Sequence, residues 1–253
     1  MKKLILLVIP FLLFFTSCKE SGTEPSKGEI QFDFSPQLTR VYTFKEWELD
    51  SLENIIEPPY EFIEKCVKKN VTIGGVNDAF ISVRTYTSFP YSDTTYLRVV
   101  GGKDVYEYTD TSKFFLSESL EYQLKKIKDS YVWVPRILLS KGEGADYQIM
   151  PKKTFLVPYG QQYMTINVES RCKNLGFETL NLANSQYRAY KVDYYENYEI
   201  YIGTVKIDSF TWHTYFWIND DIDWFVKRYT PNLKSNLFGV VLKGSISELI
   251  KVD

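Results

Sequence analysis

Apolar and polar residues alternate through most of this chain, and this alternation is the feature that most constrains its fold. Beyond Leu38, short runs rich in Val, Ile, Thr, Tyr and Phe are separated by turn residues such as Gly74-Gly75 and Gly101-Gly102. An alternation with a period of two places apolar side chains on one face of a strand. Because no long helical pattern separates the runs, we expect the strands to pair in antiparallel fashion.

The alternation predicts a mainly β protein, α+β at most, built on one large curved antiparallel sheet. Pro135 divides an apolar run, which predicts an edge strand or a connector there. Leu116, Leu120 and Leu124 fall at helical spacing, so residues 114–128 are predicted as one helix. Strands are predicted at 41–49, 60–73, 79–87, 94–100, 104–108, 131–139, 147–157, 163–170, 178–182, 187–194, 198–207, 210–218, 224–229 and 238–249.

The start of the chain has the pattern of an exported protein. Lys2 and Lys3 precede an apolar run over residues 4–15, and small residues then lead to Cys18. This order predicts a secretory signal peptide at 1–17. The apolar run is shorter than the ~20 residues that a membrane-spanning helix needs.

The stretch Phe15-Thr16-Ser17-Cys18 resembles a bacterial lipoprotein signal, and the following Lys19-Glu20 resembles the charged start of Bacteroidetes-type lipoproteins. The resemblance implies a lipid on the Cys18 thiol and cleavage just before it. The alternative is an ordinary signal peptide with a chance cysteine. Residues 18–37 are polar and predict a flexible tether, and residues 38–253 are predicted as a single antiparallel β-rich domain.

Charge and cysteine content restrict the partners. With 30 basic and 32 acidic residues the formal net charge is −2, which argues against a nucleic-acid partner. In an exported chain, Cys66 and Cys172 either form a disulfide or remain as buried free thiols, and the sequence leaves both open. No Cys or His cluster has metal-ligand spacing, so no cofactor is predicted.

Catalytic and metal sites find little support in the sequence. His213 is the only histidine, and no G-x-S-x-G elbow accompanies it, so we expect no catalytic residue and no enzyme. Asp220, Asp221 and Asp223 form a candidate calcium site, because calcium binds several oxygen ligands. The EF-hand pattern is absent, and we favour a solvated β-turn for these residues.

The aromatic residues leave two interpretations open. Trp212 and Trp217 are five residues apart, so a regular strand would place them on opposite faces. One of them is expected in the core, and the other is expected on a groove or surface. Open aromatic faces bind sugars, whereas apolar aromatic grooves bind lipid chains.

Two hairpin patterns suggest a family. The stretch Gly176-Phe177-Glu178-Thr179-Leu180-Asn181-Leu182 runs into residues 183–192, and Tyr215-Phe216-Trp217 is followed by Asp221-Ile222-Asp223. These patterns resemble uncharacterised envelope proteins with a LolA/LolB-like half-barrel, over more than a third of the chain. The resemblance implies a strongly curved antiparallel sheet whose concave face holds an apolar ligand.

From these observations we expect a membrane-anchored, non-enzymatic lipoprotein of the bacterial cell envelope, placed at the outer membrane. Its expected partners are the membrane, through the lipid anchor, and either a hydrophobic ligand or an envelope protein that contacts the curved sheet. The alternative is a surface carbohydrate-binding or adhesion module. The sequence identifies no residues of a ligand groove.

Overall fold

The structure is a computed structural model that describes residues 32–34, 37–110, 131–183, 185–237 and 239–253. Apart from a 3₁₀ turn at Leu139–Lys141, every regular element in these ranges is a strand. They contain no helix that is long and apolar enough to cross a membrane. The strands are β1 (Val41–Glu48), β2 (Tyr60–Ile73), β3 (Val76–Tyr86), β4 (Ser92–Val100), β5 (Asp104–Asp110), β6 (Tyr131–Leu138), β7 (Asp146–Tyr159), β8 (Gln162–Leu182), β9 (Ser185–Ile202), β10 (Val205–Asn219), β11 (Trp224–Thr230), β12 (Leu233–Ser235), β13 (Gly239–Leu242) and β14 (Ser245–Val252).

Twelve of these strands form one antiparallel sheet in the order β6-β5-β4-β3-β2-β1-β14-β11-β10-β9-β8-β7. Strands β12 and β13 form a separate hairpin, and the pairing of β1 with β14 joins the two halves of the large sheet. Twist accumulated over so many strands curls the sheet until its edges, β6 and β7, approach each other. The result is a nearly closed barrel, which confirms the predicted β class and the large curved antiparallel sheet.

Side chains bridge the two edges of the sheet. The Tyr147 hydroxyl accepts a hydrogen bond from the backbone N–H of Leu138 at 2.7 Å. The buried Asn174 amide donates to the carbonyls of Leu138 at 3.0 Å and Gly142 at 2.9 Å. These side-chain hydrogen bonds satisfy backbone groups of Leu138 and Gly142 where β6 and β7 do not pair through their backbones. Pro135 lies in β6 at this edge, as predicted.

Aromatic side chains fill one part of the barrel. Phe44 is fully buried, and its ring centroid lies 5.0 Å from those of both Phe62 and Phe225. Stacked pairs at this distance stabilise by about 0.5–1.5 kcal/mol beyond their buried area. The stack connects β1 with β2 and with β11, so it joins the two halves of the sheet from inside.

The folded domain includes residues before Leu38. Phe32 and Phe34 are buried and stacked on each other at 5.5 Å, and the Phe34 N–H donates to the Gly102 carbonyl at 2.7 Å. Gly102 has a φ of +68°, and a Cβ there would lie 2.7 Å from the Asp33 carboxylate. A larger residue at Gly102 would therefore obstruct this segment. Residues 32–34 of the predicted tether thus pack into the domain.

Several predicted strand boundaries are wrong. Asp208-Ser209, predicted as a separator, lies inside β10, because the hairpin turn is at Gly203 and Thr204. Buried Asp208 accepts a hydrogen bond from the Ser235 hydroxyl, so this polar residue does not need a turn. The predicted strand 187–194 and residues 198–202 of the next predicted strand form one strand, β9, whereas residues 205–207 belong to β10. The predicted helix at 114–128 and the lipidation residue Cys18 lie outside the described residues.

Candidate ligand cavity

A cavity of about 240 Å³ lies inside the barrel. Strands β2 to β6 supply one wall, β10 and β11 supply the facing wall, and Phe34 lines it as well. Its apolar lining includes Phe216, Ile218 and Phe225, whereas Arg84, Arg136 and Arg228 make another part strongly basic. Pockets for drug-sized molecules usually measure about 300–1,000 Å³, so this cavity suits a smaller molecule.

Three arginine–glutamate pairs lie in and beside the cavity. Their N–O distances are 2.8 Å for Arg228–Glu46, 2.7 Å for Arg136–Glu107 and 3.6 Å for Arg84–Glu64. The last distance is too long for a hydrogen bond, so the Arg84 pair is loose. The expectation of an apolar concave face is therefore not met at this cavity, because charged residues occupy inward-facing positions of the strands.

The arginines lie deep in the protein but remain in contact with solvent space. Water reaches 20% of the Arg84 side chain, 32% of Arg136 and 19% of Arg228, although protein atoms surround all three. Asp93, which is exposed, also lines the cavity. We conclude that the cavity reaches the surface beside Asp93 and admits water to the arginines.

Three polar atoms of the lining have no hydrogen-bond partner within the described part of the chain. They are Arg228 Nε, Trp224 Nε1 and Glu64 Oε2. Trp224 is 9% exposed and Glu64 is 6% exposed, so bulk water does not compensate them. A buried polar atom without a partner costs about 1–3 kcal/mol, and natural proteins keep few of them. Their convergence on one cavity marks it as the candidate site.

The electrostatics of the site are set by two neighbouring guanidinium groups. Burial and then the proximity of Arg84 lower the pKa of Arg228. Burial alone would raise the pKa of Glu46, but Arg228 and Arg84 hold it below its ordinary value. Glu46 is therefore an anion at neutral pH, held between two cations. The Tyr86 hydroxyl also donates to Glu46, at 3.1 Å.

A second recess of about 670 Å³ is lined in part by Glu46 and Tyr86. Tyr60, Phe89 and Tyr91 line it, and each is more than a third exposed. Phe89 stacks on Tyr86 with ring centroids 4.8 Å apart. The recess and the inner cavity are connected through Glu46, which accepts a hydrogen bond from Tyr86 and forms an ion pair with Arg228 of the inner cavity.

The outer face of the barrel carries a row of stacked rings. His213 lies 5.7 Å from both Tyr195 and Tyr215, and Tyr215 lies 6.1 Å from Tyr229. The planes of His213 and Tyr215 differ by only 4°. Rings stacked face against face present their edges to solvent, whereas a sugar packs on a ring face. This row is therefore better explained as cross-strand packing than as a sugar platform.

The two tryptophans on β10 face opposite sides, as predicted. Trp217 lies beside the outer row and is buried beneath Lys191, whose Nζ is 4.7 Å from the indole centroid. Trp212 pairs across the sheet with buried Glu196 and donates to the Pro231 carbonyl at 3.3 Å. Neither residue lines the cavity.

His213 is held by its neighbours. Its Nδ1 lies 2.9 Å from one oxygen of Asp193 and 3.0 Å from the other. Tyr195 and Tyr215 stack on the ring. These contacts explain His213 as a structural residue of the outer row.

The two cysteines are buried free thiols in the structure. Cys66 Sγ lies 3.6 Å from the Lys68 carbonyl. Burial raises the pKa of Cys172 to about 12. A thiol with so high a pKa is a poor nucleophile.

The candidate calcium ligands lie in the turn between β10 and β11. Asp223 has a φ of +58° and forms an ion pair with Arg40 at 3.0 Å, and Asn219 Oδ1 accepts from the N–H of Ile222 at 2.9 Å. Across the ranges that the structure describes, no group of three or more His, Cys, Asp or Glu residues is arranged to hold a metal. These contacts are those of a β-turn.

Sequence reasoning missed the charged residues of the cavity. Glu46 alternates in phase with the core residues Tyr42 and Phe44, and Glu64 alternates in phase with Phe62. A charged residue at a core position of a strand is the signal that could have identified them.

The chain matches no protein-family model, and no curated protein matches it. Among solved structures, it is similar to a presumed lipoprotein from Parabacteroides distasonis, with a TM-score of 0.45 and 10% identity. That match covers 89% of this chain and 100% of the other. The hypothetical lipoprotein YmcC from Escherichia coli is similar with a TM-score of 0.36 and 10% identity, over 83% of this chain and 84% of its own. Likenesses this low establish neither kinship nor function.

Proposed function

We propose that the mature chain is a lipid-anchored protein of the bacterial cell envelope, at the outer membrane, that binds a small ligand inside its barrel. The anchor rests on the leader that ends at Cys18. Ligand binding rests on one observation: polar atoms of Glu64, Trp224 and Arg228 converge on one cavity without partners.

The physical reason is the cost of an incomplete polar network. A buried charged network that lacks some of its hydrogen bonds is less stable than an apolar core of the same shape. A ligand that completes the bonds would recover that cost on binding. The lining also argues against a wholly apolar ligand, because such a ligand would leave Arg228 Nε, Trp224 Nε1 and Glu64 Oε2 without hydrogen-bond partners.

We propose binding rather than catalysis. The cavity lining contains arginines, acids and aromatic residues, but the Cys172 thiol and the His213 ring are held in other parts of the barrel. A nucleophile next to a base is the minimum for covalent catalysis, and the lining does not supply that pair.

The anchor is tested by Cys18→Ser. A single acyl chain binds a membrane only marginally, and stable anchoring needs more than one. We expect the wild-type protein in the membrane fraction of the expressing bacterium and the variant in the soluble fraction. Retention of the variant in the membrane would reveal a different anchor.

Ligand binding is tested by native mass spectrometry with a matched pair of variants on β4. Thr95 lines the cavity, whereas the adjacent Thr94 is exposed. We expect wild-type protein and Thr94→Trp to carry one small molecule, and Thr95→Trp to be bare. A bare wild-type protein, or equal loading of both variants, would count against binding in this cavity.

A second candidate function is carbohydrate binding at the outer recess. Tyr60, Phe89 and Tyr91 are partly exposed there beside Glu48, and exposed rings next to acceptors suit sugars. A glycan array would separate the two candidates. Sugar binding that is lost in Phe89→Ala but kept in Tyr163→Ala, an exposed aromatic residue outside the recess, would favour this candidate.

A further inference from the structure

The cavity presents hydrogen-bond donors that suit a carboxylate. Arg228 Nε and Trp224 Nε1 have no acceptor among the described residues. The Arg84 guanidinium lies 3.6 Å from Glu64, which is too far for a hydrogen bond. Its other neighbours are the Tyr86 hydroxyl and the Phe62 ring, whose centroid is 4.5 Å away. Guanidinium groups form paired hydrogen bonds with carboxylates, and such charged bonds are stronger than neutral ones.

The same cavity presents one acceptor that suits a cation. Glu64 Oε2 accepts no hydrogen bond in the described ranges, although it faces Arg84 Nη2 at 3.6 Å, and its residue is almost fully buried. An ammonium group carries three donors and would satisfy this oxygen. The lining of this cavity therefore offers hydrogen-bond donors to an anionic group and an acceptor to a cationic group.

The charge balance favours a ligand with no net charge. Arg84, Arg136 and Arg228 are matched by Glu64, Glu107 and Glu46, and the remaining lining charge, Asp93, is exposed to solvent. A purely anionic or purely cationic ligand would leave an excess charge in a site deep in the protein, which is costly. A molecule with one positive and one negative group keeps the balance.

The apolar part of the lining favours a ligand that carries an apolar group of modest size. Phe34, Phe216 and Phe225 line the cavity, and its volume is about 240 Å³. The apolar wall would pack against an aliphatic or aromatic side chain. The volume is below that of typical drug-sized pockets, so a lipid with a long chain is disfavoured.

We infer that the cavity binds a zwitterion with an apolar side chain, namely an α-amino acid or a dipeptide. This inference rests on the proposed binding function. The carboxylate lies against Arg228 and Trp224, the ammonium lies against Glu64, and the apolar side chain lies against the phenylalanines. The three unpartnered atoms are shielded from solvent in the structure, so binding requires small side-chain rotations around them.

The inference is tested by titration calorimetry on the mature protein, stripped of any bound ligand by unfolding and refolding. The probes are L-leucine, L-phenylalanine and glycyl-L-phenylalanine, with 3-phenylpropionate and 2-phenylethylamine as analogues that carry one charge each. We expect at least one zwitterion to bind about tenfold or more tightly than either analogue. Equal binding of the analogues, or no binding of any zwitterion, overturns the inference.

Two tryptophan variants test the assigned contact. Trp224→Phe removes an N–H that has no partner in the free protein, so it should weaken zwitterion binding about tenfold and change stability little. Trp212→Phe removes an N–H that donates to the Pro231 carbonyl, so it should lower stability and leave affinity unchanged. Glu64→Gln should weaken the zwitterion more than it weakens 3-phenylpropionate. Equal losses for both probes in Glu64→Gln would contradict the placement of the ammonium.

Together, the two sets of experiments distinguish zwitterion binding from the proposed binding of a small ligand in general. If native mass spectrometry shows a molecule that is lost only in Thr95→Trp, but no zwitterion binds, the inference fails and the proposed function stands. If the wild-type protein is bare and no probe binds, both fail.

Discussion

The Arg228–Glu46 pair tests whether the buried charges serve binding or stability. In Arg228→Met, Glu46 keeps the Tyr86 hydroxyl at 3.1 Å but loses the guanidinium at 2.8 Å. Removing one partner of a buried pair costs about 3–5 kcal/mol. Because Arg84 also stabilises the Glu46 carboxylate, we expect the lower end, about 3 kcal/mol. That cost corresponds to a melting temperature about 6–12 °C lower for a domain of this size.

The double variant Glu46→Gln/Arg228→Met distinguishes the two roles. Replacing both members of a buried ion pair is often neutral or stabilising. We therefore expect its free energy of unfolding, measured by urea denaturation, within about 1 kcal/mol of wild type, with ligand binding lost. A double variant destabilised by the sum of the two single variants would refute the reasoning. Lys152→Met, which breaks a more exposed pair with Glu199 at 2.6 Å, is the control and should leave the free energy of unfolding nearly unchanged.

Three further predictions concern the interior. Burial raises the pKa of Glu196 above 4.5, so its contribution to stability is full below pH 4.5 and is lost as the pH rises through the pKa of the folded state. Between pH 4.5 and 7, the denaturation midpoint of the wild type should therefore fall relative to that of Glu196→Gln. Parallel pH profiles of the two proteins would contradict this. Cys172 is fully buried with a pKa of about 12, so iodoacetamide at pH 8 should modify it only after unfolding, and rapid labelling of folded protein would show an open core. Phe44→Ala should cost about 3–5 kcal/mol and Phe44→Leu clearly less, by urea denaturation, because Phe44 is stacked between two rings; equal costs would indicate that the stack adds little.

The alternation of the sequence was sufficient to predict the fold class but not the lengths of the strands. Glycine turns such as Gly101-Gly102 end strands in the predicted places, because these residues have positive φ. Asp208 misleads, because its carboxylate is satisfied by Ser235 and Asn236 of the β12–β13 hairpin. A polar residue marks a turn only where no distant partner exists, and a single sequence does not show distant partners.

The cavity was harder to predict because its residues come together only in the closed sheet. Arg228 and Glu46 are 182 positions apart, and their contact depends on the pairing of β11 and β1 with β14. The in-phase position of Glu46 with Phe44 could reveal a charge directed inward. It could not reveal which cation meets that charge.

A crystal structure of the mature protein, purified gently from the bacterial envelope, tests binding in the cavity most directly. We expect electron density for one small molecule that contacts Arg228 Nε and Glu64 Oε2 beside the ring of Phe225. Density for water alone, with Arg228 Nε and Trp224 Nε1 bonded to protein atoms, would contradict the assignment of this cavity as a binding site.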